Sequence, residues 1–95
     1  MKTRQIFSLT TRIVALPGQR HALAEILLKG SKNVPGCLSY VIASDPRDEN
    51  SAWINEVWQS EASHRFALSL RLVKEATRAA LPMIAGVGDG RYERG

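Results

Sequence analysis

Apolar and polar side chains alternate from Gln5 to Ala15. Phe7, Leu9, Thr11, Ile13 and Ala15 fall on one side of an extended chain, and Ile6, Ser8, Thr10, Arg12 and Val14 on the other. This spacing predicts a strand over 5–15. Pro17-Gly18 then breaks the run. Proline suits the first turn of a helix, Leu23, Ile26 and Leu27 recur at helical spacing through Leu28, and Gly30 supplies a stop. A loop over 31–36 ends in Pro35-Gly36. The run from Cys37 to Ser44 predicts a second strand, with Leu38, Tyr40 and Ile42 on one face and Cys37, Val41 and Ala43 on the other. Asp45 to Asn50 is a polar turn, and Ala52 to Trp58 a third strand antiparallel to the second. Ser60 is suited to cap a helix running from Glu61 to about Ala80, which Pro82 disturbs. A glycine-rich tail comes next, in which Arg91 to Arg94 predict a last short strand.

The predicted order is strand, helix, strand, strand, helix, strand. That is the α+β, ferredoxin-like βαββαβ arrangement. Both faces of the strands carry apolar side chains, whereas a sheet wetted on one side alternates more cleanly. Helices are therefore expected on one face and a second copy of the chain on the other. With 95 residues, a single domain over 1–95 is expected. A chain of that length buries only roughly 60–65% of its unfolded surface, which also favours self-association.

Composition narrows the class. Hydrophobic residues make up 44% and charged residues 23%, a globular balance that argues against disorder. A lone cysteine, Cys37, allows neither an internal disulfide nor a multi-cysteine metal site. No apolar run is long enough to cross a bilayer, and Ser8, Thr10, Thr11 and Arg12 interrupt the apolar stretch after the basic start. No membrane association and a cytoplasmic setting are the expectation. Net charge is +4 and the isoelectric point about 9.7. The arginines are spread along the chain without a dense block or interleaved aromatics, so no nucleic-acid partner is expected. Arg71, Lys74 and Arg78 read as a solvated helix stripe.

No P-loop, dinucleotide fingerprint, His-Glu-x-x-His or nucleophile elbow occurs. His64 is the leading candidate for chemistry because an imidazole exchanges protons near neutrality. On one unbroken helix it falls nearly opposite the apolar stripe of Ala62, Phe66, Leu70, Val73, Thr77 and Ala80. A break near Ser69 to Arg71 would let it turn inward with Leu68, four residues on. Asn55 is polar within an apolar strand and is either a ligand handle or an edge position. Strand alternation separates Trp53, Asn55 and Val57 from Glu56 and Trp58, so Asn55 and Trp58 share a pocket only across a bulge. Tyr40, Trp53, Trp58, Phe66 and Leu68 could wall a pocket for a flat aromatic ligand, or serve as plain core. Cys37 reads as a small buried apolar residue and His21 as a surface residue.

A wider pattern emerges from Leu16-Pro17-Gly18-Gln19, Pro35-Gly36-Cys37-Leu38-Ser39-Tyr40 and Asp45-Pro46. It continues through Asn55-Glu56-Val57-Trp58-Gln59-Ser60, Ser63-His64, then Leu68, Leu70 and Val73, and Leu81-Pro82-Met83-Ile84-Ala85-Gly86. In order and spacing these resemble the antibiotic biosynthesis monooxygenase superfamily over about residues 5–90. The resemblance implies a homodimer whose two sheets pack into a barrel, with a pocket between each sheet and its helices. It implies oxidation of hydroxylated aromatics, hydroquinones or anthrone-like polyketides by O2 without a cofactor or metal. His64 falls where many members place a histidine. Glu56 and Trp58 keep either a structural or a catalytic role. A haem-degrading branch carries an asparagine on the first strand and a tryptophan and histidine on later helices. Here Phe7 and Ser8, and Ala67 and Thr77, occupy those regions, so haem oxygenation is not implied. The expectation is a cofactor-free monooxygenase with His64 moving a proton and Asn55 contacting oxygen or an oxyanion. The alternative is a non-catalytic dimer of the same fold that binds a small apolar ligand.

Overall fold

The computed structural model of the chain describes residues 6–94, and side chains from 6 to 88. Strand β1 spans Phe7–Ala15, helix α1 Arg20–Gly30, β2 Cys37–Ser44, β3 Ser51–Trp58, α2 Glu61–Leu68 and α3 Arg71–Ala80. A 3-10 turn over Leu81–Met83 leads into β4, Ile84–Arg94. The strands form a four-stranded sheet in the order β2-β3-β1-β4, every neighbouring pair antiparallel. This is the ferredoxin-like topology that the element order predicts.

The sheet buries one face under the helices. Phe7, Leu9, Ile13 and Ala15 of β1 and Ala52, Ile54 and Trp58 of β3 all lie on that side. They form two clusters. Ile13, Ala15, Ala52 and Ile54 meet Leu23 of α1 and Ala80 of α3. Phe7, Leu9 and Trp58 meet Val34 and Ala67 of α2. Each large side chain withdrawn from water here contributes about 1.5–3 kcal/mol. The opposite face carries Ser8, Thr10, Arg12 and Val14 beside Trp53, Asn55 and Val57. No element of the described chain covers it, and Val41 is 53% exposed.

Four local features depart from the sequence reading. Pro17 is not in the first turn of α1, which starts at Arg20. Gln19 N–H donates to Leu16 O at 2.9 Å and Gly18 has φ +77. Proline followed by a positive-φ glycine is a type II turn. In β2, the register slips between Cys37 and Ser39, so Leu38 is the extra residue of a bulge and is 47% exposed. Cys37 thereby packs with the Phe7–Trp58 cluster, contrary to simple alternation.

The long second helix is two helices. Ser69 Oγ donates to Phe66 O at 2.6 Å, and Leu70 takes an extended backbone, ψ 140, before α3. A serine hydroxyl that competes for a helix carbonyl favours such an end. The last strand is longer than Arg91 to Arg94. It begins at Ile84 and pairs with β1 through two register shifts. Glycines weaken strand propensity, and here the free edge of β1 supplies the ladder instead. Among the described residues, no helix is long and apolar enough to cross a membrane.

Candidate functional site

Antiparallel pairing without a bulge between β1 and β3 fixes which β3 side chains face the helices. Glu56 and Trp58, two residues apart, both do. The indole N–H of Trp58 donates to Glu56 Oε1 at 3.0 Å. Tyr40 stands opposite Glu56 on β2 and shares that face. The sheet thus sets a carboxylate, an indole and a phenol side by side beneath α2.

Helix α2 supplies the imidazole. Ser60 Oγ accepts from Ser63 N–H at 3.0 Å, capping the first turn. That turn rests on the loop before β2, where Gln59 N–H donates to Gly36 O at 2.8 Å. Gly36 has φ +82, and a Cβ there would lie 2.7 Å from Ser63 Cβ. Only glycine permits both this backbone and this approach. His64 comes next in the chain, its ring 5.4 Å from Phe7 and 5.4 Å from Trp58. Its Nε2 is 4.0 Å from Glu56 Oε1, with side chains 16% and 13% exposed. The break at Ser69 and Leu70 lets α2 and α3 take separate directions, and His64 faces the sheet.

Together these groups line a cavity of about 150 Å³ between the sheet and the helices. Tyr40, Glu56, Trp58, His64 and Leu68 lie on its walls, with Val34, Val73 and Ala76 among the apolar remainder. Gly30 of α1 also borders it, and a side chain there would collide with Ala76 Cβ.

Burial sets the protonation states. It lowers the His64 pKa below 6.5, against the opposing pull of the Glu61 carboxylate, so the imidazole is neutral at pH 7. Burial also raises the pKa of Glu56 above 4.5, and the Trp58 N–H partly offsets that. The Tyr40 phenol is pushed well above its ordinary range by burial and by Glu56, and stays a hydrogen-bond donor. Cys37 is raised by burial and then by Glu56, so it stays a thiol at neutral pH. The cavity therefore holds a neutral base, a carboxylate able to stabilise that base once protonated, and a neutral hydroxyl donor. Among the described residues, no group of three His, Cys, Asp or Glu side chains converges as a metal site would require.

Of the expected site residues, His64, Tyr40, Trp58 and Leu68 come together. Asn55, Trp53 and Phe66 do not line this cavity. Asn55 and Trp53 lie on the far face of the sheet because strand alternation is unbroken in β3. There Thr10 Oγ1 donates to Asn55 Oδ1, and Asn55 Nδ2 donates to Trp53 O, each at 3.4 Å. Phe66, two residues from His64 on a helix, turns outward and is 57% exposed. Glu56, which the sequence leaves with either a structural or a catalytic role, stands in the cavity wall. Its spacing from Trp58 on one strand face was the available signal. His21 is at the surface, its side chain 89% exposed and paired with Glu25 at 3.0 Å.

The family model for antibiotic biosynthesis monooxygenase matches residues 6–79. A Chloroflexus aurantiacus protein provisionally named as such a monooxygenase is 43% identical, with TM-score 0.90, over 93% of this chain and 90% of that one. A Caulobacter crescentus protein, provisionally named likewise, shares the fold at 19% identity and TM-score 0.79, covering 96% and 88% of the two chains. A Pseudomonas aeruginosa protein does so at 20% identity and TM-score 0.77, over 99% and 95%. No curated protein matches the chain significantly. With the matched region running from β1 almost to the end of α3, and with a close structural relative, the chain belongs to the antibiotic biosynthesis monooxygenase family.

Proposed function

We propose that the protein is a cofactor-independent monooxygenase of a phenolic or hydroquinone-type aromatic, working as a homodimer. The observation that carries this reading is a neutral His64 beside the buried Glu56 carboxylate, in one small cavity with Tyr40. A phenol bound there loses its proton to His64. The imidazolium is stabilised by Glu56, at about 4 Å. The phenolate, electron-rich and shielded from water, reduces O2 directly, so the substrate plays the part a flavin otherwise would. For a hydroquinone, one oxygen atom enters the ring and the other leaves as water. The ring is oxidised by four electrons to a hydroxyquinone, and those four electrons reduce O2. Tyr40 donates a hydrogen bond to the oxyanion that develops. Asn55 lies across the sheet from this cavity and has no part in the reaction as drawn.

The test is oxygen uptake with hydroquinones and catechols by purified protein assayed for bound flavin and metal. Uptake above the autoxidation blank is expected, with His64→Ala slower by about 100-fold or more. Ligand binding without uptake would favour the non-catalytic reading, and an unchanged rate in the variant would remove His64 from the mechanism.

A further inference from the structure

Beside the His64 cavity lies a second hollow of about 190 Å³. The two abut, sharing Gly30, Val34 and Val73 as walls. The second hollow differs in character. Lys32 and Arg71 line it, Leu70 and Leu72 give it an apolar side, and among the described residues no acidic side chain is on its walls. Arg71 pairs with Glu75 at 3.7 Å, an exposed contact that water and salt weaken easily.

The first cavity limits what can sit beside His64. A space of about 150 Å³ matches one benzene ring in size. The contrast between the two spaces then specifies a molecule. We infer that the substrate is a single-ring phenol or hydroquinone bearing a short anionic side chain. The ring occupies the cavity at His64, and the acid lies in the adjoining hollow against Lys32 and Arg71. The side chain is short because the two spaces share walls. This inference rests on the monooxygenase reading for its chemistry, but the anion preference is a property of binding and is measured without turnover.

The probes are 4-hydroxyphenylacetate and its neutral isostere 4-hydroxyphenylacetamide, titrated calorimetrically into the wild type and into Lys32→Gln/Arg71→Gln. The acid should bind about tenfold or more tightly than the amide. The double variant should lose that preference while keeping its affinity for the amide. About 0.5 M salt should also erase it. Equal binding of the two probes, a preference for the amide, a preference that survives in the variant, or binding of neither probe would overturn the proposal. Oxygen uptake with 2,5-dihydroxyphenylacetate and plain hydroquinone separates the two claims. An acid preference without uptake from either keeps the anion hollow and sinks the oxygenase. Uptake from both at equal efficiency keeps the oxygenase and sinks the hollow.

Discussion

Protonating His64 in place would set a charge in a buried site away from water, which is why its pKa falls below 6.5. The sign has two consequences. The base form is already present at neutral pH, so turnover should be flat above neutrality, with its acid limb below the ordinary histidine range. Stability moves in the same direction. As pH falls below 6.5 the unfolded chain takes up this proton more readily, so His64 begins to destabilise the fold. A pH–rate profile in which the limb disappears in His64→Ala would identify the group. Glu56 has the opposite sign. Its raised pKa means that holding it ionised at pH 7 costs stability, and the cost is relieved as pH falls through the raised folded value toward 4.5. Glu56→Gln keeps an acceptor for the Trp58 N–H and removes the buried charge. The melting temperature at pH 7 should hold or rise while turnover drops by about tenfold, equivalent to one pKa unit of lost stabilisation of the imidazolium. A fall in both would mean that Glu56 is structural.

Helix α2 is eight residues long and makes little helix on its own merits. Its position comes from its ends. The Ser60 cap and the Gly36 contact hold the first turn, and the Ser69 hydroxyl closes the last. His64 is thus aimed by residues outside the cavity. Gly36→Ala would strain a left-handed backbone and push on Ser63, at a cost of about 1–3 kcal/mol. A lowered melting midpoint is expected, together with a loss of turnover larger than the loss of folded protein at assay temperature. Full activity in the folded fraction would show that the α2 start does not position the histidine. The hairpin between β2 and β3 is anchored in a comparable way. Asp48 accepts from Ser51 Oγ at 2.6 Å and from Arg12 at 3.3 Å, and its pKa is lowered chiefly by the Ser51 hydrogen bond. That contribution is present above the ordinary aspartate pKa and fades as pH falls through the lowered value.

For the whole molecule, the unshielded sheet face is the main unfinished surface. Trp53, Val57, Val14 and the exposed Val41 lie there, with Thr10 and Asn55 among them. An apolar face of this kind marks an association surface. In solution the chain should scatter as a species of about twice 10.5 kDa. Trp53→Arg should shift it toward monomer and leave the far-side His64 cavity chemically intact. A wild type that sediments as a monomer would contradict the dimer proposed above.

Much of this was legible in the sequence for local reasons. Alternation fixed which side of β3 Glu56 and Trp58 share. Pro-Gly pairs marked the turns, Ser60 marked the start of α2, and two-sided hydrophobicity marked a sheet with apolar side chains on both faces. His64 stood out because an imidazole exchanges protons near neutrality. The sequence left open whether it faced inward, because that depended on whether the helix breaks at Ser69 and Leu70. Tertiary structure decided the rest. The Leu38 bulge, the pairing of a glycine-rich tail with β1 and the approach of His64 to Glu56 are contacts between distant segments. Periodicity reports which face of an element is apolar, because that is a property of neighbours in sequence. It carries no information on which faces meet, so Asn55 could be recognised as unusual but not placed on the far side of the sheet from the histidine.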